Sequence, residues 1–192
     1  MNSKNKLFAK DPETLHDSSA FHNFYQQTHL IVFRYIFGMY NGSVQDVEDM
    51  TADTYARAWK ARRRFRGTPE AALGWLLRIA RNLVIDTFRR RKNRGIPKNI
   101  DDHIIPSPSV SPEERVLQKE RANNLWVALG KLSPQQREII VLRYLLNWQV
   151  KAIASYLDMK ENTISVNIRR ALQKMRQEYK RSHEEVGHYE DR

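Results

Sequence analysis

Asp46, Glu48, Asp49 and Asp53 place four carboxylates within eight residues, and Asp46, Asp49 and Asp53, at i, i+3 and i+7, share one face if the segment is helical. Carboxylates so placed could hold a divalent ion for nucleic-acid cleavage, or present negative charge to a basic protein surface. One exposed helical turn with no second converging element makes a poor metal cage, so the partner-binding reading is the stronger. His22 and His29 have no paired His or carboxylate at ligand spacing and read as ordinary, partly exposed side chains. Cys is absent, which removes thiolate nucleophiles, disulfides and Cys-ligated zinc. The expectation is a chain with no catalytic residues, no metal and no cofactor.

A second set of residues is basic. Lys60, Arg62, Arg63, Arg64 and Arg66 follow the acidic segment, and Arg89, Arg90, Arg91 and Lys92 follow the next apolar stretch. Cations at helix ends complement the macrodipole, which accounts for the first cluster, but the second exceeds that need and reads as a phosphate-contacting stripe. Lys and Arg number 33 against 22 Asp and Glu, a formal charge of +11 in 192 residues. That balance favours a polyanionic partner, nucleic acid before anionic membrane. No apolar run approaches the roughly 20 residues a spanning helix needs, so no direct membrane insertion is expected. The opening MNSKNKLFAKDPETLHD has no apolar core of signal-peptide type, and the expected location is the cytoplasm.

The third set lies in residues 151–175, KAIASYLDMKENTISVNIRRALQKM, which carry two short helical patterns separated by a tight break. Ile153, Ala154 and Leu157 form one apolar face; Ile164, Ile168, Leu172 and Met175 form another. Opposite the second stripe stand Ser165, Val166, Asn167, Arg169, Arg170 and Lys174, able to hydrogen-bond bases or neutralise phosphates. The pattern is a helix-turn-helix, whose second helix enters the major groove with its N-terminal residues on base edges. Asp158 stands at the turn, where Gly is favoured, and Lys160 at the expected N-cap, where Ser, Thr, Asp or Asn is usual. The plain alternative is an antiparallel helix pair with a solvated basic face.

These sets need helices to carry them. A polar segment 1–17 leads to a helix from Ser18 with Phe21, Phe24, Tyr25, Leu30, Phe33 and Phe37 as an aromatic face, ended by Asn41-Gly42. Ser43 with Asp46 resembles a capping box opening the acidic helix, whose core side is Val47, Met50, Thr54 and Ala58. After Gly67, Thr68-Pro69 restart a helix that buries Ala72, Trp75, Leu76, Ile79 and Leu83. Residues 95–112, GIPKNIDDHIIPSPSVSP, hold four prolines and read as an extended linker between two domains, 18–94 and 113–181. Beyond it Val116, Leu117, Leu125, Ala128 and Leu129 face inward, and Ser133-Pro134-Gln135-Gln136 opens a further helix as a capping box. Residues 182–192 read as a polar tail, unstructured beyond about Arg181. The fold class is all-α, two small helical domains.

Taken together these segments resemble the extracytoplasmic-function (ECF) group of bacterial RNA polymerase sigma factors. DVEDMTADTYARAW is similar to the group's polymerase-binding helix in sigma region 2, FRGTPEAALGWLLRIARNLVIDTFRRR to its minus-10 melting and recognition segment, and LSPQQREIIVLRYLLNWQVKAIASYLDMKENTISVNIRRAL to sigma region 4. The resemblance implies that Asp46, Glu48, Asp49, Asp53 and Arg57 contact core RNA polymerase, with Trp59 as a core tryptophan. Phe65, Arg66, Gly67 and Thr68 would belong to a loop that captures a flipped minus-10 base, and Arg78, Arg81, Asn82, Arg89 and Arg90 would touch the opened strand. Arg143, Thr163, Ser165, Val166, Arg169, Arg170 and Lys174 would meet the minus-35 element. Ala52, where the group usually has Gln, removes one polar contact with the polymerase clamp, and Ser165 and Val166 are less polar than this face often is.

The implied function is a sigma factor that binds core polymerase, recognises the minus-35 and minus-10 elements of promoter DNA and stabilises the melted bases, with an anti-sigma factor as a further partner. The alternative is an autonomous helix-turn-helix regulator with an N-terminal sensing domain. It accounts for residues 151–175 but leaves the acidic helix, the aromatic-bearing loop and the second basic stripe unexplained.

Overall fold

The computed structural model describes residues 15–40, 42–94 and 112–187, and the linker 95–111 and the segments 1–14 and 188–192 lie outside that description. Seven α-helices and no strand occur among the described residues: α1 (Ser18–Met39), α2 (Val44–Ala61), α3 (Pro69–Arg94), α4 (Pro112–Gly130), α5 (Pro134–Ile140), α6 (Val150–Leu157) and α7 (Glu161–Gly187). They form two compact units, α1–α3 and α4–α7. The all-α architecture of two helical domains agrees with the sequence pattern.

In the first unit, order begins before Ser18. Leu15 is buried, and the Asp17 carboxylate accepts from the Ser19 and Ala20 amides (3.0 and 3.1 Å) as the N-cap of α1. The Ser19 hydroxyl and these amides hold that carboxyl below its ordinary pKa. The buried stripe of α1 is Phe21, Phe24, Thr28, Val32, Tyr35, Ile36 and Met39. Of the expected aromatic face, Tyr25 lies 37% and Leu30 55% exposed, because apolar residues fall all round this helix and the stripe is set by what packs on it. On α2, Val47, Met50, Thr54 and Ala58 are all buried as expected, joined by Thr51 and Tyr55. Tyr55 shares a 2.7 Å hydrogen bond with the Thr28 hydroxyl, tying α2 to α1, and burial pushes its phenol pKa well up. Leu76, Leu77, Ala80, Leu83 and Val84 are the core of α3, with Ala72; Trp75 and Ile79 are only half-buried.

In the second unit α4, α5 and α6 all pack on α7. Trp126, Ala128 and Leu129 are buried on α4, while Leu125, expected inside, is 49% exposed. Trp126, one residue on, fills the position instead. Ser133 and Gln136 make both bonds of the capping box, with Pro134 at the first helical position. Two charged residues in α5 are buried: Arg137, whose Nε–H donates to the Leu129 carbonyl at 3.0 Å, and Glu138. Burial lowers the Arg137 pKa from its usual value. The helix then widens into a π-turn over Val141–Leu145, ended by a left-handed Asn147 (φ 58°). On α7, Ile164 and Ala171 are fully buried, and Ile168, Leu172 and Met175 are half-buried. α7 continues past Arg181 to Gly187, beyond the expected start of an unstructured tail.

Candidate nucleic-acid interface and acidic surface

The buried side of α2 fixes where its charges point. With Val47, Met50, Thr54 and Ala58 inward, Asp49, Asp53 and Arg57 are exposed and Asp46 is half-exposed. Asp46, Asp49, Asp53 and Arg57 line a concavity of 130 Å³ with Tyr40, Asp86, Thr87 and Arg90, so the groove is built by α2 and the C-terminal half of α3. Glu48 does not line it: at 100° per residue it lies roughly 100° or more round the helix from the three aspartates. Arg90 is likewise set apart from its neighbour Arg89. It lines the acidic groove, on a face of α3 about 100° from Arg89. One step round α3 separates the two, a signal available in the sequence from helix geometry alone. Among the described residues no His, Asp or Glu group has the arrangement of a metal site.

At the end of α2 a 3₁₀ turn, Arg62–Arg64, leads into the loop. Trp59 is 36% exposed rather than interior, with the Arg62 guanidinium 3.3 Å over its ring and Phe21 edge-on at 5.1 Å. Arg62 also donates to the Trp59 carbonyl (2.6 Å) and to the His16 carbonyl (3.3 Å), which pins the segment before α1 to the end of α2. Phe65 is buried, its ring 4.9 Å from that of Trp75, so it supports the loop from beneath and offers no free stacking face. Arg66 folds over its own loop, donating to the Arg63 carbonyl at 2.7 Å and the Phe65 carbonyl at 3.2 Å. Gly67 is half-buried above the Phe65 ring, and Thr68 is exposed, its carbonyl accepting from the Ala71 amide at 2.9 Å.

Along α3, Arg78, Asn82 and Arg89 are exposed and Arg81 is half-buried. The four fall within about 100° of the helix circumference, one continuous face.

The helix-turn-helix is built by α6 and α7. Asp158 takes the left-handed conformation (φ 54°, ψ 52°) at the end of α6, the role given to it by the turn pattern, and the Met159 amide closes the turn on the Ala154 carbonyl at 2.9 Å. Lys160 directly precedes α7. The outward side of α7 divides into two strips. Asn162, Ser165 and Arg169 lie within about 60° of one another, whereas Thr163, Arg170 and Lys174 lie about 100° further round, with Val166 between the strips. All but Val166, half-buried, are exposed. Asn167 is turned back, its amide donating to the Thr163 carbonyl at 2.9 Å. Asn162, absent from the sequence reading, shares the strip of Ser165 and Arg169 at i, i+3, i+7 spacing. Arg143 stands elsewhere, in the π-turn, donating to the Trp148 carbonyl at 2.8 Å.

Two halves of one family model set match this architecture. The Sigma-70 region 2 model matches residues 24–94 and the Sigma-70, region 4 model residues 122–175, together well over half of the chain. The chain belongs to the sigma-70 family, as an ECF sigma factor. It is 26% identical to the ECF RNA polymerase sigma factor SigX of Bacillus subtilis over 173 residues, 87% of each chain. To the ECF RNA polymerase sigma factor BldN of Streptomyces coelicolor it is 31% identical over 151 residues, 77% of this chain and 56% of that one. The sigma factor RpoE of Bartonella quintana, solved with the anti-sigma factor NepR, shares the fold at a TM-score of 0.65 and 21% identity, over 83% of this chain and 96% of that one. This sigma factor therefore directs promoter-specific transcription, binding core RNA polymerase and promoter DNA. No helix among the described residues is long and apolar enough to cross a membrane.

Proposed function

We propose that this sigma factor divides its work among three surfaces, acting by binding alone and without catalysis. The groove of Asp46, Asp49, Asp53 and Arg57 docks on a basic surface of core RNA polymerase. The exposed Thr68 and the amides opening α3 hold an extruded minus-10 base above the loop that Phe65 and Trp75 support from beneath, while Arg78, Arg81, Asn82 and Arg89 follow the unpaired strand. Thr163, Ser165, Val166, Arg169, Arg170 and Lys174 meet the minus-35 element, and Arg143 acts by holding the turn before α6. An anti-sigma factor, the kind of partner bound to the Bartonella quintana relative, would silence the protein in the cytoplasm by covering one of these surfaces.

The observation that carries this reading is the segregation on α2. One side is wholly interior, and the other turns Asp49 and Asp53 to solvent on a chain of +11 net charge. Exposed carboxylates on so cationic a protein repel DNA and fit a basic protein partner. Tethering two DNA-reading units to one polymerase lets each bind weakly alone and strongly together. Promoter-directed transcription with purified core polymerase tests it: initiation from a cognate promoter should require this chain. Initiation that is unaffected by Asp49→Lys with Asp53→Lys would remove the assigned docking surface.

A further inference from the structure

The strip on α7 that carries Ser165 and Arg169 does not stop at the reading residues. An eleven-residue step returns to the same face of an α-helix within about 20°, which places Arg176 under Ser165 and Lys180 under Arg169. Gln173 lies between them, and Gln173, Arg176 and Lys180 are all exposed. From Ser165 to Lys180 the strip carries no carboxylate. Ile168 and Leu172 border it, half-buried, in an open groove that Arg169, Arg176 and Lys180 also line.

Length decides what the far end of this strip meets. At about 1.5 Å per residue, Arg176 stands about 16 Å beyond Ser165 and Lys180 as far beyond Arg169, whereas the major groove is about 12 Å wide. A helix whose first turns touch base edges has therefore left the groove by Arg176 and crosses the phosphate backbone that walls it. The helix persists there, since α7 is continuous to Gly187. We infer that Arg176 and Lys180 bind phosphates bordering the minus-35 element, outside the base pairs read by the first turns of α7, and so contribute affinity independent of sequence. This rests on the proposal that α7 enters the groove. The strip is cationic and polar along its centre, which suits phosphate; its apolar neighbours Ile168, Leu172 and Tyr179 lie along one edge.

The test uses holoenzyme made with the full chain, on a promoter panel with single base-pair changes through the minus-35 element. Each phosphate contact adds about 0.9 to the slope of log K against log salt, so Arg176→Gln with Lys180→Gln should lower the slope by about 1.8. Base preferences should be unchanged, polymerase association intact, and hydroxyl-radical protection lost only at sugars bordering the element. Arg176→Glu with Lys180→Glu should weaken binding further, equally on every promoter of the panel. An unchanged slope and footprint overturns the inference, as does a loss confined to particular base pairs. Failure to assemble holoenzyme also overturns it, since the strip would then serve a protein. Failure of the underlying groove proposal is read separately, as Arg169→Ala leaving base preferences unaltered.

Discussion

Gly67 sits so close over the Phe65 ring that a Cβ built on it would lie 2.5 Å from Cζ and 2.8 Å from Cε2. The ring cannot retreat, because Trp75 backs it at 4.9 Å between centroids. The absence of a side chain here is what lets the loop close down on its aromatic floor. Gly67→Ala should therefore destabilise the region 2 unit by about 1–3 kcal/mol, the usual cost of overpacking. Urea unfolding would measure it. Phe65→Leu in the same chain should recover part of that loss, so strictly additive effects in the double-mutant cycle would sink the explanation.

The acidic groove makes a prediction that discriminates among carboxylates. Asp49→Lys with Asp53→Lys places like charge against a basic partner and should weaken polymerase association on the order of a hundredfold, about 3 kcal/mol. Glu48→Lys, on the other flank of α2, should cost far less in the same titration of labelled core polymerase. Equal losses from both would mean that the chain's overall charge, not the groove, governs docking.

Helix starts and stops were the most legible part of this chain, since their chemistry is local. Ser133 and Gln136 form their box, and Asp158 takes the left-handed corner, because a cap or a corner depends on a few adjacent residues. Faces were harder. Leu30 and Leu125 are apolar, fit a helical stripe, and point outward, because neighbouring apolar residues allow more than one stripe and only tertiary packing selects among them. The π-turn over Val141–Leu145 has no composition of its own. Nor does the extension of α7 past Arg181 follow an apolar repeat; Gln, Glu, Lys and Arg propagate helix by intrinsic propensity once a packed helix has nucleated. At the candidate surfaces, residue types and their angular grouping were visible in the sequence, since 100° per residue already parts Arg90 from Arg89 and Glu48 from Asp49. Which side of α2 and α3 is buried, and so which group lines a groove, was known only from the packing.

Asp158 tests the turn of the helix-turn-helix. Its backbone is left-handed, where a Cβ crowds the following carbonyl oxygen and glycine, having none, is unstrained. Asp158→Gly should raise the stability of the region 4 unit by about 0.5–1 kcal/mol, and Asp158→Val should lower it by about 1–2 kcal/mol. Thermal unfolding followed by circular dichroism would report both shifts. A stabilising valine would show that the corner is not held as described.

Arg169 and Arg170 are adjacent in sequence and exposed, yet about 100° apart round α7, so they cannot serve one base pair. Arg169 lies with Asn162 and Ser165 on the strip that faces the groove floor when the first turns of α7 enter it. Arg170 lies with Thr163 and Lys174 on the other strip, which in that orientation would face a groove wall. Arg169→Ala should therefore cost about 1–3 kcal/mol on the preferred promoter and relax discrimination at one minus-35 base pair. Arg170→Ala should weaken every promoter of the panel alike and lower the salt slope by about 0.9, the mark of a lost phosphate contact. Competition binding over all single base-pair variants of the element, at two salt concentrations, separates the two outcomes. If Arg170→Ala alters base preference while Arg169→Ala acts uniformly, α7 lies in the groove rotated by one residue step from the orientation assigned to it.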